Sequence, residues 1–304
     1  MNFEITIIGS NAAIPTLTRG NTAQYIQCNH RHILIDCGEG TQLQLRKFKI
    51  KYQQISIILI SHLHGDHVFG LPGLLSTMQL MGRDKGLKLF GPLGLKKLIE
   101  TQLGLVGVVQ SFNVEVIELT DNSNELIFSD KCIEIYNFPL KHRIPTHGYL
   151  IKEKTKPRKL NKEAFDKYNI STAYISNLLE GKNVLNKLGE LIQFENVTYP
   201  PPSSGVYAYC SDTAFDERIV EFIKSADLLY HESTFLQSEL KRAQETFHST
   251  AEEAAIIAKR ANVKRLILGH FSSRYKDLSL FKEQASKHFL EVIIPKDGDK
   301  FVIN

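Results

Sequence analysis

The chain has 304 residues, 42% of them hydrophobic and 23% charged, which suits one large globular domain, or one domain with an insertion, built on a sizeable core. No apolar run reaches the length of a membrane span, and "MNFEITIIGS" lacks the basic segment and cleavage site of a secretory signal, reading instead as a first strand. The four cysteines (Cys28, Cys37, Cys132, Cys210) are scattered with no C-x-x-C pair, so free thiols in a reducing, cytoplasmic setting are expected rather than disulfides or a thiolate zinc site. The net charge of +4 is unevenly placed. Residues 152–187 hold nine Lys/Arg (Lys152, Lys154, Lys156, Arg158, Lys159, Lys162, Lys167, Lys182, Lys187) against four acids (Glu153, Glu163, Asp166, Glu180), so that one segment carries the whole positive excess.

In chain order, "FEITIIGS", "AQYIQC", "HILIDC" and "ISIILIS" are Ile-rich runs bounded by Gly, Asn and Asp, and they predict strands. "GTQLQLRKFKI" predicts a helix between two of them. "GLPGLLSTMQLMGR" and "GLKKLIETQL" have helical spacing of Leu and Met, with the strand "LKLFGP" between them. "FNVEVIEL", "ELIFSD" and "CIEIYNFPL" predict further strands. Residues 152–190 break the pattern, being polar and basic with short helices at "NKEAFDKYN" and "TAYISNLLEG"; composition alone reads as a solvated insertion, and insertions of this size are often functional. Alternation resumes with the strands "VYAYCSD", "ADLLYHEST" and "VKRLILGH" and the helix "STAEEAAIIAKRAN". Two halves, each of strands followed by helices, predict two sheets packed face to face with helices outside.

The chemistry is concentrated in "SHLHGDH". Immediately after a strand, alternation points His62 and His64 the same way, and Gly65 permits a tight turn onto which Asp66 and His67 follow. Imidazole and carboxylate together suit zinc or a similar divalent ion, the alternative being a set of hydrogen-bonded surface histidines. Three more ligand types stand at strand ends behind apolar runs: His142 in "NFPLKH", Asp212 in "VYAYCSD" and His270 in "RLILGH". Seven N/O ligands exceed the needs of one tetrahedral zinc, whereas two ions sharing one carboxylate would use them all.

With these residues in view, the sequence resembles the metallo-β-lactamase superfamily and, within it, the ribonuclease Z family. "GSNAAIPTLTRGNTAQ", "IDCGEGTQLQL", "HGDHVFGLPGLL", "YHESTF" and "FHSTAEEAA" resemble that family's motifs along essentially the whole chain. Two departures are visible: Gly205-Val206 stands where bacterial members often have Gly-Arg, and "YHEST" replaces the commoner "HEAT" form while keeping Glu232. The resemblance implies an α/β fold, the metallo-β-lactamase αββα four-layer sandwich, as a single domain over 1–304. It also implies a protruding basic arm inserted at 152–190 that grips substrate.

The same resemblance implies two Zn²⁺ per subunit, with Mn²⁺ or Fe²⁺ as alternatives. His62, His64 and His142 would hold one ion, Asp66, His67 and His270 the other, and Asp212 would bridge. The implied activity is a zinc-dependent endoribonuclease that removes the 3′ trailer from precursor tRNA by two-metal-activated water attack, leaving a 3′-hydroxyl on the tRNA. Asp66 would also accept the water's proton. His248, kept charged by Glu232, would protonate the leaving oxygen; "HSTAEE" could equally open a helix capped by Ser249 or Thr250, and the two roles are compatible. His231 should point away from Glu232's side, His147 is open between structural and substrate-contact roles, and His30, His32 and His288 read as surface residues. Arg19 and Asn21 could meet phosphate or serve a turn, and Arg274 and Tyr275 could face the RNA. Family members pair as homodimers, so a homodimer acting on precursor tRNA, with no membrane partner, is expected. The competing readings are a small-molecule phosphodiesterase or other hydrolase of the superfamily, and a non-catalytic RNA-binding metal protein.

Overall fold

The computed structural model describes residues 3–105, 112–120, 124–201 and 203–303, so that Met1 and Asn2 ahead of the first strand lie outside the described residues. These fall into two compact units, one made of residues 1–152 and 205–303 and the other of 153–204.

The larger unit holds two seven-stranded sheets. The first runs, in spatial order, Lys300–Ile303, Phe3–Gly9, Ala23–Cys28, Arg31–Ile35, Ile57–Leu59, Leu87–Pro92 and Val114–Leu119. Its first four strands pair antiparallel and the remainder parallel. The second runs Val292–Ile293, Leu266–Gly269, Leu228–Glu232, Val206–Cys210, Thr146–Glu153, Ile133–Leu140 and Glu125–Ser129. Because side chains alternate along a strand, each sheet buries two faces and its strands read as nearly unbroken apolar runs. Ile33, Ile35, Ile57 and Leu59 of the first sheet join Ile135, Tyr149, Tyr209 and Tyr230 of the second in one buried cluster. Their neighbours Leu34 and Ile58 face the other way, onto Leu45 and the helices Leu71–Leu80 and Leu95–Leu105. On the far side Ala208, Cys210, Leu229 and Leu268 pack on the helices Ala251–Arg260 and Ser279–Ser286. Four layers follow, helix–sheet–sheet–helix, as the strand-and-helix pattern predicts. The cysteines are thiols, with Cys28, Cys37 and Cys210 buried and Cys132 partly exposed.

The smaller unit departs from a solvated insertion. Phe165, Ile170, Leu178, Val184, Ile192 and Val197 form its own small core. The helix Lys162–Lys167 is capped by Asn161, whose side chain accepts from the Ala164 N–H at 3.2 Å. The strand Lys159–Leu160 pairs with Thr198–Tyr199, and Val184–Leu185 with Leu191–Ile192. The compact unit runs on to 204, and its residues 191–199 supply the second strand of both pairs and two core residues. The short apolar spacing here hides a core that polar composition does not suggest. The added residues bring Glu190 and Glu195, so the unit carries eight Lys/Arg against six acids, less basic than the segment 152–187.

Candidate metal centre

The strand Ile57–Leu59 ends two residues before the sequence predicts, although the Ile60 N–H still donates to the Phe90 carbonyl at 2.8 Å. Gly65–Val68 is then a single helical turn. Gly65 does not adopt the left-handed conformation a tight turn would need; its missing side chain admits the Phe69 ring, which an added Cβ would meet at 2.3 Å.

The structure brings all seven expected ligand residues together. Ligand atoms of His62, His64, His142 and Asp212 lie within 4.8 Å of one another, as do those of Asp66, His67 and His270. Nitrogens approach nitrogens: His62 Nε2 is 3.0 Å from His64 Nδ1, which is 3.3 Å from His142 Nε2. His67 Nε2 and His270 Nε2 are 3.3 Å apart. A tetrahedral ion with bonds of about 2.0–2.1 Å holds its ligand atoms about 3.3 Å apart, so these spacings suit ions of that size. Asp212 divides its oxygens, Oδ2 lying 3.4 Å from His62 Nε2 and 3.7 Å from His142 Nε2, and Oδ1 lying 3.2 Å from His67 Nε2 and 3.1 Å from His270 Nε2. That is the placement a shared carboxylate requires.

Electrostatics favour a cation here in two ways, through neutral rings at His62, His64 and His142 and through the acids gathered around His67. Burial pushes His62 down to about 4, and burial also lowers His64 and His142, leaving imidazole lone pairs free to bind a cation. Burial would lower His67 as well, but the charges of Asp212, Asp66 and Asp36 outweigh it and raise it. Burial works to raise Asp66 and Asp212, and the surrounding histidines overcome it and hold both low. The ion-pair partners of these two carboxylates among the described residues are histidines alone, so bound cations would complete their neutralisation.

A second layer of side chains fixes the rings through their other nitrogens, as metal-binding histidines usually require. His67 Nδ1 is 2.8 Å from Asp36 Oδ2, His270 Nδ1 is 2.9 Å from Thr234 Oγ1, and His142 Nδ1 is 2.9 Å from the Phe247 carbonyl. Buried Asp36 also accepts from the Ser61 N–H at 2.7 Å, the Ser61 hydroxyl at 2.8 Å and the Tyr209 hydroxyl at 2.6 Å. Neither Asp36 nor Thr234 is singled out by sequence, although Asp36 carries the same signal as the ligands, an apolar strand ending in a carboxylate.

His248 and Glu232 also meet. His248 Nδ1 is 2.8 Å from Glu232 Oε1, and this carboxylate, fully buried, accepts from the N–H groups of Thr213 and Thr234 and from the Thr234 hydroxyl. Burial alone would lower His248, but the Glu232 charge and hydrogen bond raise it to about 9. The same ion pair, dominating over burial, holds Glu232 low. His248 stands two residues before Thr250, the N-cap of the helix Ala251–Arg260, which forms a capping box with Glu253, so capping and a place at the site are compatible.

Other expectations fare differently. The Arg19 guanidinium donates to Ser10 Oγ at 2.6 Å and the Pro295 carbonyl at 2.9 Å and lies over Phe271, which is the turn role rather than a free phosphate contact. Tyr275 turns inward: its hydroxyl accepts from the Leu236 N–H and its ring packs on Phe281. Arg274 does line the cavity of about 450 Å³ beside the site, together with Arg242, Phe235, Asp66, His248 and His270. His231 is buried, with Nδ1 2.7 Å from the Glu232 carbonyl, and belongs to none of the ligand groups. His147 is buried too, near Asn137, while His32 is partly buried against Tyr25.

A helix–sheet–sheet–helix sandwich with a histidine–aspartate centre at its strand ends defines the metallo-β-lactamase fold class. Residues 203–271 match the beta-lactamase superfamily domain, and residues 3–139 match the anti-Pycsar protein Apyc1 family. Ribonuclease Z of Parabacteroides distasonis is 41% identical over 299 residues, 98% of each chain, and that of Porphyromonas gingivalis 42% identical over 291 residues, 96% of each. The crystal structure of human tRNase Z, short form, has a TM-score of 0.73 at 30% identity and covers 99% of both chains. The metallo-β-lactamase fold protein YhfI of Bacillus subtilis, at a TM-score of 0.71 and 16% identity, shares the fold. The chain belongs to the ribonuclease Z family and is a hydrolytic nuclease.

Proposed function

We propose that the protein is an endoribonuclease that removes the 3′ trailer from precursor tRNA and leaves a 3′-hydroxyl, with two divalent ions, zinc by the donor set, at the strand-end centre. The observation that carries this is that Asp212, placed between both histidine groups, and His248, held from behind by buried Glu232, line one cavity. His62, His64, His142 and Asp212 would hold one ion and Asp66, His67, His270 and Asp212 the other. Two ions there would lower the pKa of a water near neutral pH and offset the charge of the phosphate. Asp66 would accept the proton of the attacking water. His248 gives its proton to the ribose 3′-oxygen as the P–O bond breaks, so the tRNA departs with a hydroxyl and the trailer with a 5′-phosphate. Glu232 keeps His248 charged and aimed. Arg274, its guanidinium over Phe235 and paired with Glu239, and Arg242 border the cavity where the phosphates would lie.

The unit 153–204 is the candidate substrate arm. Lys159, Lys162, Lys167 and Lys187 are exposed and have no ion-pair partner among the described residues, which suits phosphate contacts that position rather than read sequence. A cytoplasmic location and a homodimer complete the reading. No helix of the described residues is long and apolar enough to cross a membrane. The test is removal of 153–204. Lys152 and Val206 sit opposite each other on antiparallel strands, so a short Gly-rich turn can close the gap. Cleavage of precursor tRNA should be lost while a small phosphodiester is still hydrolysed; equal activity on both substrates before and after removal would refute the reading.

A further inference from the structure

Asp66 receives one hydrogen bond from outside the histidine cluster, and it comes from a strained turn. The Ala13 N–H donates to Asp66 Oδ2 at 2.7 Å. Ala13 has φ of 53°, a conformation costly for a residue with a Cβ. The Ile14 N–H returns to the Ala12 carbonyl at 2.6 Å across it, closing a γ-turn of the rare positive-φ kind. Buried Asn11 holds this turn shut, its Nδ2 donating to the Ile14 carbonyl at 2.5 Å.

The base of the turn is tied to the far side of the same site. Asn11–Ala12 pairs in parallel with Phe271–Ser272, immediately after His270, and the Phe271 N–H donates to the Ser10 carbonyl at 3.0 Å. One short clip therefore fixes both His270 and the Ala13 amide. The oxygen that accepts from Ala13 is also the one nearest the cluster, 3.5 Å from His270 Nε2 and 3.6 Å from His67 Nε2.

We propose that the Ala13 amide, clamped by Asn11, is a positioning group for Asp66: it pins Oδ2 toward His67 and His270 as the metal-facing oxygen and leaves Oδ1 toward the cavity as the proton acceptor. The proposal rests on the reading of Asp66 as a ligand and proton acceptor. It gives the positive-φ turn at Ala13 a use, since only the N–H is needed and the strain is borne by the clip. It adds Asn11 and Ala13 to the residues on which the centre depends, neither of which offers a side-chain ligand.

The test separates the N–H from the rest of residue 13. Three full-length variants are prepared metal-free beside the wild type: an amide-to-ester exchange at Ala13 (lactic acid in its place), Ala13→Gly and Asn11→Ala. Each is titrated with Co²⁺ and followed by visible absorption, with thermal unfolding as a folding control. The wild type should take up two equivalents. The ester should weaken one of them about 10–100-fold and leave the other unchanged, the usual range for a lost outer partner of a ligand. Asn11→Ala should weaken the same equivalent by less, and Ala13→Gly, which retains the N–H, should bind as the wild type does. An ester variant that binds both equivalents normally, or an Ala13→Gly variant that loses as much as the ester, would overturn the proposal while leaving the metal reading standing. A wild type that takes up no Co²⁺ would overturn both.

Discussion

Replacing Asp36 by Asn keeps its size and removes its charge. In the native chain this buried carboxylate accepts four hydrogen bonds, from His67 Nδ1, the Ser61 N–H, the Ser61 hydroxyl and the Tyr209 hydroxyl. Asn can still accept from the Ser61 amide, and the two hydroxyls can rotate to accept from its NH₂. The His67 contact has no such remedy, because its N–H would face another donor unless the ring changes tautomer. Losing one charge-assisted bond in a dry site costs about 1.5–3 kcal/mol. Set against a total stability of about 5–15 kcal/mol, that loss is measurable and the variant should still fold. Asp36→Ala strands several buried donors at about 1–3 kcal/mol each and should fold poorly. Because His67 is the ring affected, metal affinity should fall about 10–100-fold together with stability. Urea unfolding of the metal-free protein and competitive metal titration of the same preparation measure both. An Asp36→Asn variant with wild-type metal affinity would refute the idea that Asp36 orients His67.

His248→Ala should lower the cleavage rate of RNA about 10²–10⁴-fold with little change in KM, while hydrolysis of a nitrophenyl phosphodiester, whose leaving group needs no proton, should change only a few-fold; equal losses on both would remove His248 from the role of acid. In the metal-free protein His248 is raised to about 9 from an ordinary 6.5, so its pairing with Glu232 stabilises fully below about 6.5 and is lost as pH rises through about 9, on the order of 3 kcal/mol in all. NMR titration of the His248 ring and denaturation at pH 6 and pH 10 check this, and Glu232→Gln should abolish the difference. Asp66→Ala should abolish cleavage while RNA binding, measured by gel shift, persists; a cleaving Asp66→Ala variant would exclude it as proton acceptor.

Much of the candidate site is legible in the sequence because four of the seven candidate ligands stand just past an apolar strand, and a strand end is where a buried run must release polar side chains. His62, His142, Asp212 and His270 all carry that signal, and Asp36 carries it equally. What pattern could not give is partnership across the fold. Thr234 reaches His270, and the Phe247 carbonyl reaches His142, only because distant loops converge. The Ala13 amide is invisible for a stronger reason, since a backbone N–H has no residue type. Arg19 is open between two roles, and Tyr275 turns inward instead of facing the RNA, for the converse reason: a charged or aromatic residue near a motif is as able to tie its own loop as to meet a ligand. The small core of the second unit does not show in the sequence because its six residues are spaced too irregularly to give a period.

The proposed function stands or falls on a metal-dependent cut that leaves a hydroxyl on the tRNA. Incubating the purified protein with a 3′-extended precursor tRNA, with and without chelator, and mapping both new ends tests it most directly. The account predicts one cut just after the discriminator base, a 3′-hydroxyl on the tRNA and a 5′-phosphate on the trailer, loss of cleavage with chelator and recovery with added zinc. Cleavage that survives chelation, or a 2′,3′-cyclic phosphate on the tRNA from attack by the ribose 2′-hydroxyl, would contradict it.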